Sequence, residues 1–235
     1  IQPRFLRESR CIQRKVSLRK KVANLLAQGQ LDEIAALTDT TPTVASAVTS
    51  RLYDADALAR FRAADALGRV AARIITSHRV SVEQLLHKLA WALNEESGAT
   101  AWGAPHAMGE IARIDPTLAS QYQPLLLSYL DDEEVYLGTD IMVHGVVWAL
   151  GRVGERFPEL GAAAVPALLK RLQDPDDSTR ALSVEALGRI GDGRAKEPLL
   201  AQTGDETRVE RYLDGQMVPV SIKTLAVAAL ERLRP

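Results

Sequence analysis

Two pairs of aromatic residues are the side chains of this sequence best suited to chemistry or recognition. Trp102 lies four positions before His106, and His144 lies four positions before Trp148. Residues four apart in a helix lie on the same side, one turn from each other. Each pair would therefore present a large ring and an imidazole together. Aromatic anchors beside polar groups are typical of protein recognition sites.

Charged residues occupy the same phase, one turn further on or on neighbouring helices. We predict a binding surface that combines them with the two aromatic pairs: Asp65, Arg69, Trp102, His106, Glu110, His144, Trp148, Arg152, Glu185 and Arg189. An alternative is that the tryptophans fill the gaps between neighbouring helices and the histidines are ordinary polar partners. Pro105 restricts the helix start, so Trp102 can also precede the helix that carries His106.

A metal site is a further use of these residues. His106, Glu110 and His144 could approach each other, with Asp140 or Glu95 as a fourth ligand. However, a carboxylate four positions after a histidine is commonly a helix-surface pair. We therefore predict no metal and no cofactor.

Nucleophilic catalysis has little support. Cys11 lies between Arg10 and Arg14, which could lower the pKa of its thiol, but no histidine is near it in the sequence. The sequence has neither a glycine-rich phosphate loop nor zinc-ligand spacing. We expect a binding protein rather than an enzyme.

The helices that position these residues share one recurring sequence motif, whose clearest copy spans residues 179–190 (TRALSVEALGRI). Its glycine recurs about every 40 residues, a period typical of helical repeat arrays. Glycine inside a helix costs about 1 kcal/mol relative to alanine, so its recurrence predicts close approach of a neighbouring helix. The equivalent positions are Gly68, Gly109, Gly151, Gly188 and Glu231.

Hydrophobic periodicity and turn residues divide the chain into helices. We predict a basic arm over 1–16, then a single helical array over 17–235. Acidic connections precede several helices, where negative charge suits the free amide groups. An Asp-Gly dipeptide between β-favouring residues predicts a hairpin at about 207–220. The predicted helices are 17–28, 31–37, 44–52, 58–75, 82–93, 104–114, 124–130, 141–153, 165–172, 179–190, 195–201 and 221–233.

From Thr43 to Leu233 the copies of this motif resemble HEAT repeats, specifically the short HEAT-like type of the phycobilisome lyases. They look like those of a prokaryotic subfamily of these proteins. The resemblance rests on Asp-Pro-Asp-like turns followed by Arg and on Ala-Leu-Gly-Arg-Ile endings. It implies an all-α, right-handed superhelix whose second helices line a concave face. Such arrays include lyases, hydroxylases, DNA glycosylases and plain scaffolds, so the fold alone does not give the function.

The residues that hydroxylases and DNA glycosylases of this type use can be compared with the matching positions here. Hydroxylases of this type repeat adjacent His-Glu pairs, whereas the matching positions here read Phe61-Arg62, Trp102-Gly103, His144-Gly145 and Ala181-Leu182. HEAT-like DNA glycosylases place tryptophans and an acid in a basic groove, which Asp65 with Trp102 or Trp148 could imitate. Phosphate binding needs net positive charge, but acids alternate with the arginines in this row.

Composition limits the partner classes. The 235 residues are 46% hydrophobic, with 29 basic and 30 acidic side chains, so the formal net charge of −1 attracts neither nucleic acid nor anionic lipid. A single cysteine fits a reducing compartment, and neither a bilayer-spanning run nor a secretory signal is evident. We expect a cytoplasmic scaffold that binds a protein or peptide on the concave face. The alternatives are a tetrapyrrole-binding lyase-like or chaperone-like protein, and a DNA-repair-type DNA-binding protein.

Overall fold

The computed structural model describes the backbone of residues 4–94, 101–131 and 139–233. Side chains are described for 16–94, 101–130 and 139–233. These residues form a helical array with one two-stranded antiparallel sheet. None of the helices in the described ranges has the length and apolarity needed to cross a bilayer.

Helices and short 3₁₀ turns account for most of the described chain. The α-helices are α1 (Arg4–Gln28), α2 (Leu31–Ala36), α3 (Val44–Thr49), α4 (Ala57–Ile74), α5 (Arg79–Ala92), α6 (Ala104–Ala112), α7 (Pro116–Asp131), α8 (Asp140–Arg156), α9 (Pro158–Gly161), α10 (Val165–Arg171), α11 (Asp177–Ile190), α12 (Lys196–Ala201) and α13 (Ile222–Arg232). The strands are β1 (Arg208–Leu213) and β2 (Gln216–Ser221). Helices α4, α6, α8, α11 and α13 pack side by side in chain order, as expected of the second helices of successive repeats.

The recurring glycines lie where these second helices touch. A Cβ at Gly109 would lie 2.4 Å from the Cα of Ala149, and one at Gly188 would lie 2.7 Å from the Cα of Ala229. Gly68 and Gly151 meet the next helix at similarly short distances. The predicted close approach is confirmed, because any side chain at these positions would collide with backbone atoms.

Acidic turns begin two of the second helices in the same way. Asp56 caps α4 by accepting a hydrogen bond from the Leu58 amide, and Asp176 caps α11 by accepting one from the Thr179 amide. An arginine inside each helix donates back to the turn: Arg60 to the carbonyls of residues 54 and 55, and Arg180 to those of residues 174 and 175. Each turn is thereby joined to the helix that follows it.

The hairpin is present as predicted. Strands β1 and β2 pair in register from Arg208 opposite Ser221 to Leu213 opposite Gln216. Asp214 and Gly215 form the turn, with φ of 48° and 81°. Positive φ at both central residues is the geometry that an Asp-Gly turn supplies.

Some element boundaries differ from the prediction. Helix α1 begins at Arg4 rather than Ser17, because arginine and lysine are good helix formers and no breaker interrupts the run. Helix α7 begins at Pro116 and contains Pro124 in its interior, where a helix start was expected. Apart from their first residues, the connections predicted at 94–98 and 131–134 lie outside the described residues.

Candidate functional site

The hairpin folds back across the row of second helices. Arg211 of β1 donates a 2.7 Å hydrogen bond to Glu185 of α11. Tyr212 of β1 stacks on Phe61 of α4, with ring centroids 4.9 Å apart and an angle of 10° between the planes. The turn residue Gly215 accepts two hydrogen bonds from Arg62 of α4. The hairpin therefore covers part of the row from α4 to α11.

Four rings form an aromatic cluster beneath the hairpin: Phe61, His106, Trp148 and Tyr212. Phe61 contacts His106 edge to face at 4.6 Å and Trp148 at 5.4 Å between centroids. Tyr212 lies 6.1 Å from Trp148. Such tilted and stacked pairs add to the stabilisation gained from burying the rings. The cluster joins α4, α6 and α8 to the hairpin.

Glu110 is a buried carboxylate beside this cluster, only 3% exposed. Its Oε1 accepts hydrogen bonds from Trp148 Nε1 at 3.2 Å and Arg152 Nε at 2.6 Å, and its Oε2 accepts from Arg152 at 3.2 Å and Arg113 at 3.4 Å. Burial by itself lowers the pKa of Arg152, but the negative charge of the adjacent Glu110 more than offsets this, so the pKa of Arg152 is raised overall. This buried charge pair fixes the orientation of both Trp148 and Arg152.

Glu155 is shared by three arginines on successive second helices. Arg152 lies 2.8 Å from its carboxylate, Arg189 lies 3.5 Å away and Arg232 lies 3.7 Å away. Arg189 also sits over the Trp148 ring, 4.9 Å from the centroid, in a cation–π arrangement. Its Nη1 makes no hydrogen bond of normal geometry to any described residue. Burial, followed by the charge of Arg152, lowers the pKa of Arg189.

A cavity of about 550 Å³ lies between the second helices and the hairpin turn. Most of its wall is charged. The residues that line it are Gly29, Leu31, Phe61, Arg62, Ala64, Asp65, Arg69, Glu110, Trp148, Arg152, Glu155, Arg189, Tyr212, Leu213, Asp214, Gly215 and Arg232. We call this space the roofed cavity.

The roofed cavity contains part of the predicted site. Six of the ten predicted residues line it: Asp65, Arg69, Glu110, Trp148, Arg152 and Arg189. Trp148 is 8% exposed, so its ring is covered and does not face outward on the predicted binding surface. The reason is the hairpin, which places Tyr212 over the same rings.

The other four predicted residues lie elsewhere. Trp102 precedes α6, next to Arg60 at 5.5 Å, as the restriction at Pro105 allowed. His144 Nε2 lies 2.7 Å from the carboxylate of Asp176, outside the cavity wall. Glu185 pairs with Arg211. The fourth residue, His106, is buried within the aromatic cluster.

His106 is 4% exposed, and neither ring nitrogen makes a hydrogen bond of normal geometry within the described residues. Burial lowers the pKa of His106 to about 3, with further contributions from the charges of His144, Arg211 and Arg60. The imidazole is therefore neutral at physiological pH.

The metal alternative is not assembled in the part of the chain that the structure describes. Within those ranges, no three His, Cys, Asp or Glu side chains come together as a ligand set. Glu110 is instead held by arginines, and His144 by Asp176. Of the two residues considered as a fourth ligand, Asp140 is exposed at the start of α8 and Glu95 lies outside the described residues.

Sequence reasoning missed several residues of the cavity wall. Arg232 directly follows Glu231, the equivalent of the recurring glycine, as Arg152 and Arg189 follow theirs, and that offset could have identified it. Glu155 lies three positions after Arg152, on the same side of α8. Arg62 and Tyr212 gave no such signal, because their positions depend on where the hairpin folds.

Comparisons with known proteins agree with this architecture. Residues 142–212 match the family described as HEAT repeats. A designed armadillo repeat protein in complex with the peptide (KR)4 superposes with a TM-score of 0.55 over 92% of this chain and 91% of that chain, at 19% identity. The chain is a solenoid of the HEAT and armadillo type.

Two further proteins share features with this solenoid. A second designed armadillo repeat protein gives a TM-score of 0.54 at 19% identity, covering 94% of this chain and 93% of that one. An uncharacterised protein of Archaeoglobus fulgidus is 29% identical over 181 residues, which cover 77% of this chain and 92% of that protein. The solenoid fold thus extends over nearly the whole chain.

Proposed function

We propose that this solenoid is a non-catalytic binding protein that holds a segment of a protein or peptide partner in the roofed cavity. The observation that carries the proposal is the cavity itself: about 550 Å³ bounded by the five second helices α4, α6, α8, α11 and α13 and by the hairpin turn. Ligand sites have volumes of about 300–1,000 Å³. The designed armadillo protein that holds a peptide shares the fold, which supports a partner of this kind by analogy.

The state of the ionisable groups favours binding over catalysis. Glu110 is neutralised by Arg152, and His106 is a buried neutral imidazole whose ring nitrogens make no hydrogen bond of normal geometry among the described residues. A general base must reach the proton that it removes, whereas His106 does not line the cavity. We assign the partner contacts to the charged side chains, with Trp148 as a supporting wall.

The two alternative functions receive less support. A flat tetrapyrrole would stack on an aromatic face, but Trp148 is 8% exposed and Tyr212 is 5% exposed. DNA binding requires enough surplus positive charge to neutralise several phosphates, whereas the five arginines of the cavity face four acids. The phycobilisome-lyase subtype remains a proposal that rests on the Ala-Leu-Gly-Arg-Ile endings of the repeats.

Peptide selection against the purified protein tests the proposal. A displayed random-peptide library is panned on the wild type, and the selected peptides are titrated against two variants. Leu213→Trp adds bulk at the cavity wall. Val227→Trp adds the same bulk to an exposed position of α13 and is the matched control.

We expect Leu213→Trp to weaken peptide binding at least tenfold and Val227→Trp to leave it unchanged, provided that both variants unfold cooperatively. Equal binding by the wild type and Leu213→Trp would show that the partner does not enter the cavity.

A further inference from the structure

The arginines of the roofed cavity are incompletely satisfied by the acids that share it. Arg189 has an Nη1 atom without a normal hydrogen bond in the described ranges, and its ion pairs with Glu155 and Glu185 are 3.5 and 3.7 Å long. Arg232 reaches Glu155 only at 3.7 Å and is half exposed. By contrast, hydrogen-bonded pairs between guanidinium and carboxylate are typically about 2.7–2.9 Å long.

Charge counting indicates which anion would fit. Five arginines line the cavity, namely Arg62, Arg69, Arg152, Arg189 and Arg232, and four acids face them, namely Asp65, Glu110, Glu155 and Asp214. The surplus is one positive charge. A carboxylate carries one negative charge, whereas a phosphate ester carries about two at neutral pH. A carboxylate would therefore balance the cavity, and a phosphate would leave it negative.

Glu155 marks the place where such a group would bind. Its carboxylate lies among three arginines from three successive repeats, and it is about one-third exposed. Because Glu110 already holds Arg152 from the other side, an incoming carboxylate needs only to replace Glu155 at Arg189 and Arg232. Both line the cavity; the Arg232 side chain is 55% exposed, whereas that of Arg189 is 12% exposed.

We propose that the partner segment held in the roofed cavity is acidic, and that an Asp or Glu side chain of this segment binds Arg189 and Arg232 in place of Glu155. This inference rests on the proposed function, because it specifies the chemistry of the same partner. Guanidinium groups suit this role, since their planar donors match the two oxygens of a carboxylate.

Fluorescence anisotropy with three labelled, end-blocked peptides tests the proposal: hexaglutamate, hexaglutamine and hexalysine. The variants are Arg189→Ala, Arg232→Ala and Glu155→Gln, with Arg208→Ala as the control because Arg208 is exposed on the hairpin and does not line the cavity. Arg232→Ala guards against a folding defect in Arg189→Ala, because the Arg232 side chain is 55% exposed.

We expect hexaglutamate to bind best and Arg189→Ala to weaken its binding by about tenfold or more. Arg232→Ala should weaken it by about threefold, and Arg208→Ala should not change it. Glu155→Gln should tighten binding by about threefold, because it removes the competing carboxylate. A purely structural role of Glu155 predicts the opposite sign.

The remaining outcomes separate this inference from the proposed function. Equal or tighter binding of hexaglutamine or hexalysine, with loss in Leu213→Trp, would overturn the acidic assignment and retain a cavity-bound partner. Displacement of hexaglutamate by phosphate at concentrations where acetate has no effect would show a phosphate site and overturn the carboxylate assignment. Failure of all three peptides and of the displayed library would overturn both proposals.

Discussion

Arg62 of α4 donates two hydrogen bonds, of 3.0 and 2.9 Å, to the carbonyl oxygen of Gly215, 153 residues further along the chain. Its Nη1 donates two more, to the carbonyls of Leu26 and Ala27 near the end of α1. One buried guanidinium therefore joins the first helix, the first repeat and the hairpin of the last repeat. Together with the Arg211–Glu185 hydrogen bond and the stacking of Tyr212 on Phe61, this link holds the hairpin over the cavity.

Arg62→Ala should lower the free energy of unfolding by about 3 kcal/mol, because three carbonyl oxygens lose a charged donor. Chemical denaturation measures the change, with Arg208→Ala as the control on an exposed residue. A loss within about 0.5 kcal/mol of the control, the range of ordinary surface substitutions, would mean that the hairpin is held by other contacts.

The recurring glycines allow a paired stability test. Gly109→Ala should destabilise the protein by about 1–3 kcal/mol, because the added Cβ would lie 2.4 Å from the Cα of Ala149. Gly204→Ala meets nothing within 4 Å and should be near neutral. Thermal unfolding of both variants compares them, and equal midpoints would contradict the close-packing explanation.

Glu110→Ala should destabilise the protein by about 3–5 kcal/mol, because removing one partner of a buried ion pair leaves the other charge uncompensated. The partner here is Arg152, whose side chain is 20% exposed. Glu197→Ala, at an exposed position, is the control. Comparable denaturation midpoints for the two variants would show that Glu110 is not needed to hold Arg152.

His106 predicts a specific pH dependence. Its pKa is about 3 in the folded protein, whereas an unperturbed histidine titrates near 6.5. Between these values the unfolded chain binds more protons, so the free energy of unfolding falls as the pH drops, by about 1.4 kcal/mol per pH unit. Above about pH 7 His106 is neutral in both the folded and the unfolded chain, so it no longer makes the free energy of unfolding depend on pH.

His106→Leu removes that titration without losing a hydrogen bond of normal geometry within the described residues. The stability of the variant relative to the wild type should therefore rise as the pH falls from about 6.5 to 5. Denaturation series at several pH values measure the difference. A difference that stays constant with pH would show that His106 is not buried as a neutral group.

Most of the fold could be read from the sequence because the repeat signals are local. The glycine phase identified the contacting faces of α4, α6, α8 and α11, and Asp214-Gly215 identified the hairpin turn. Helix ends are harder to predict, because neither a proline nor a run of basic residues always ends a helix. Pro124 and residues 4–16 are instead helical.

The candidate site was less predictable because it depends on a long-range contact. The helical phase placed Trp148, Arg152 and Arg189 in one row, and all three line the cavity. Nothing local indicated that the hairpin would fold over this row and stack Tyr212 on Phe61. Trp148 and His106, two of the four rings expected to face a partner, are therefore covered, which is why we assign the partner contacts to the arginines around them.

The indole N–H signals of the three tryptophans test the central claim most directly. Trp148 Nε1 donates to Glu110 at the cavity wall, while Trp91 is 69% exposed and does not line the cavity. During titration of labelled protein with a selected peptide, monitored by NMR, we predict that the Trp148 signal shifts in step with saturation and the Trp91 signal stays in place. A saturated complex in which Trp148 is unchanged and Trp91 has moved would contradict binding in the roofed cavity.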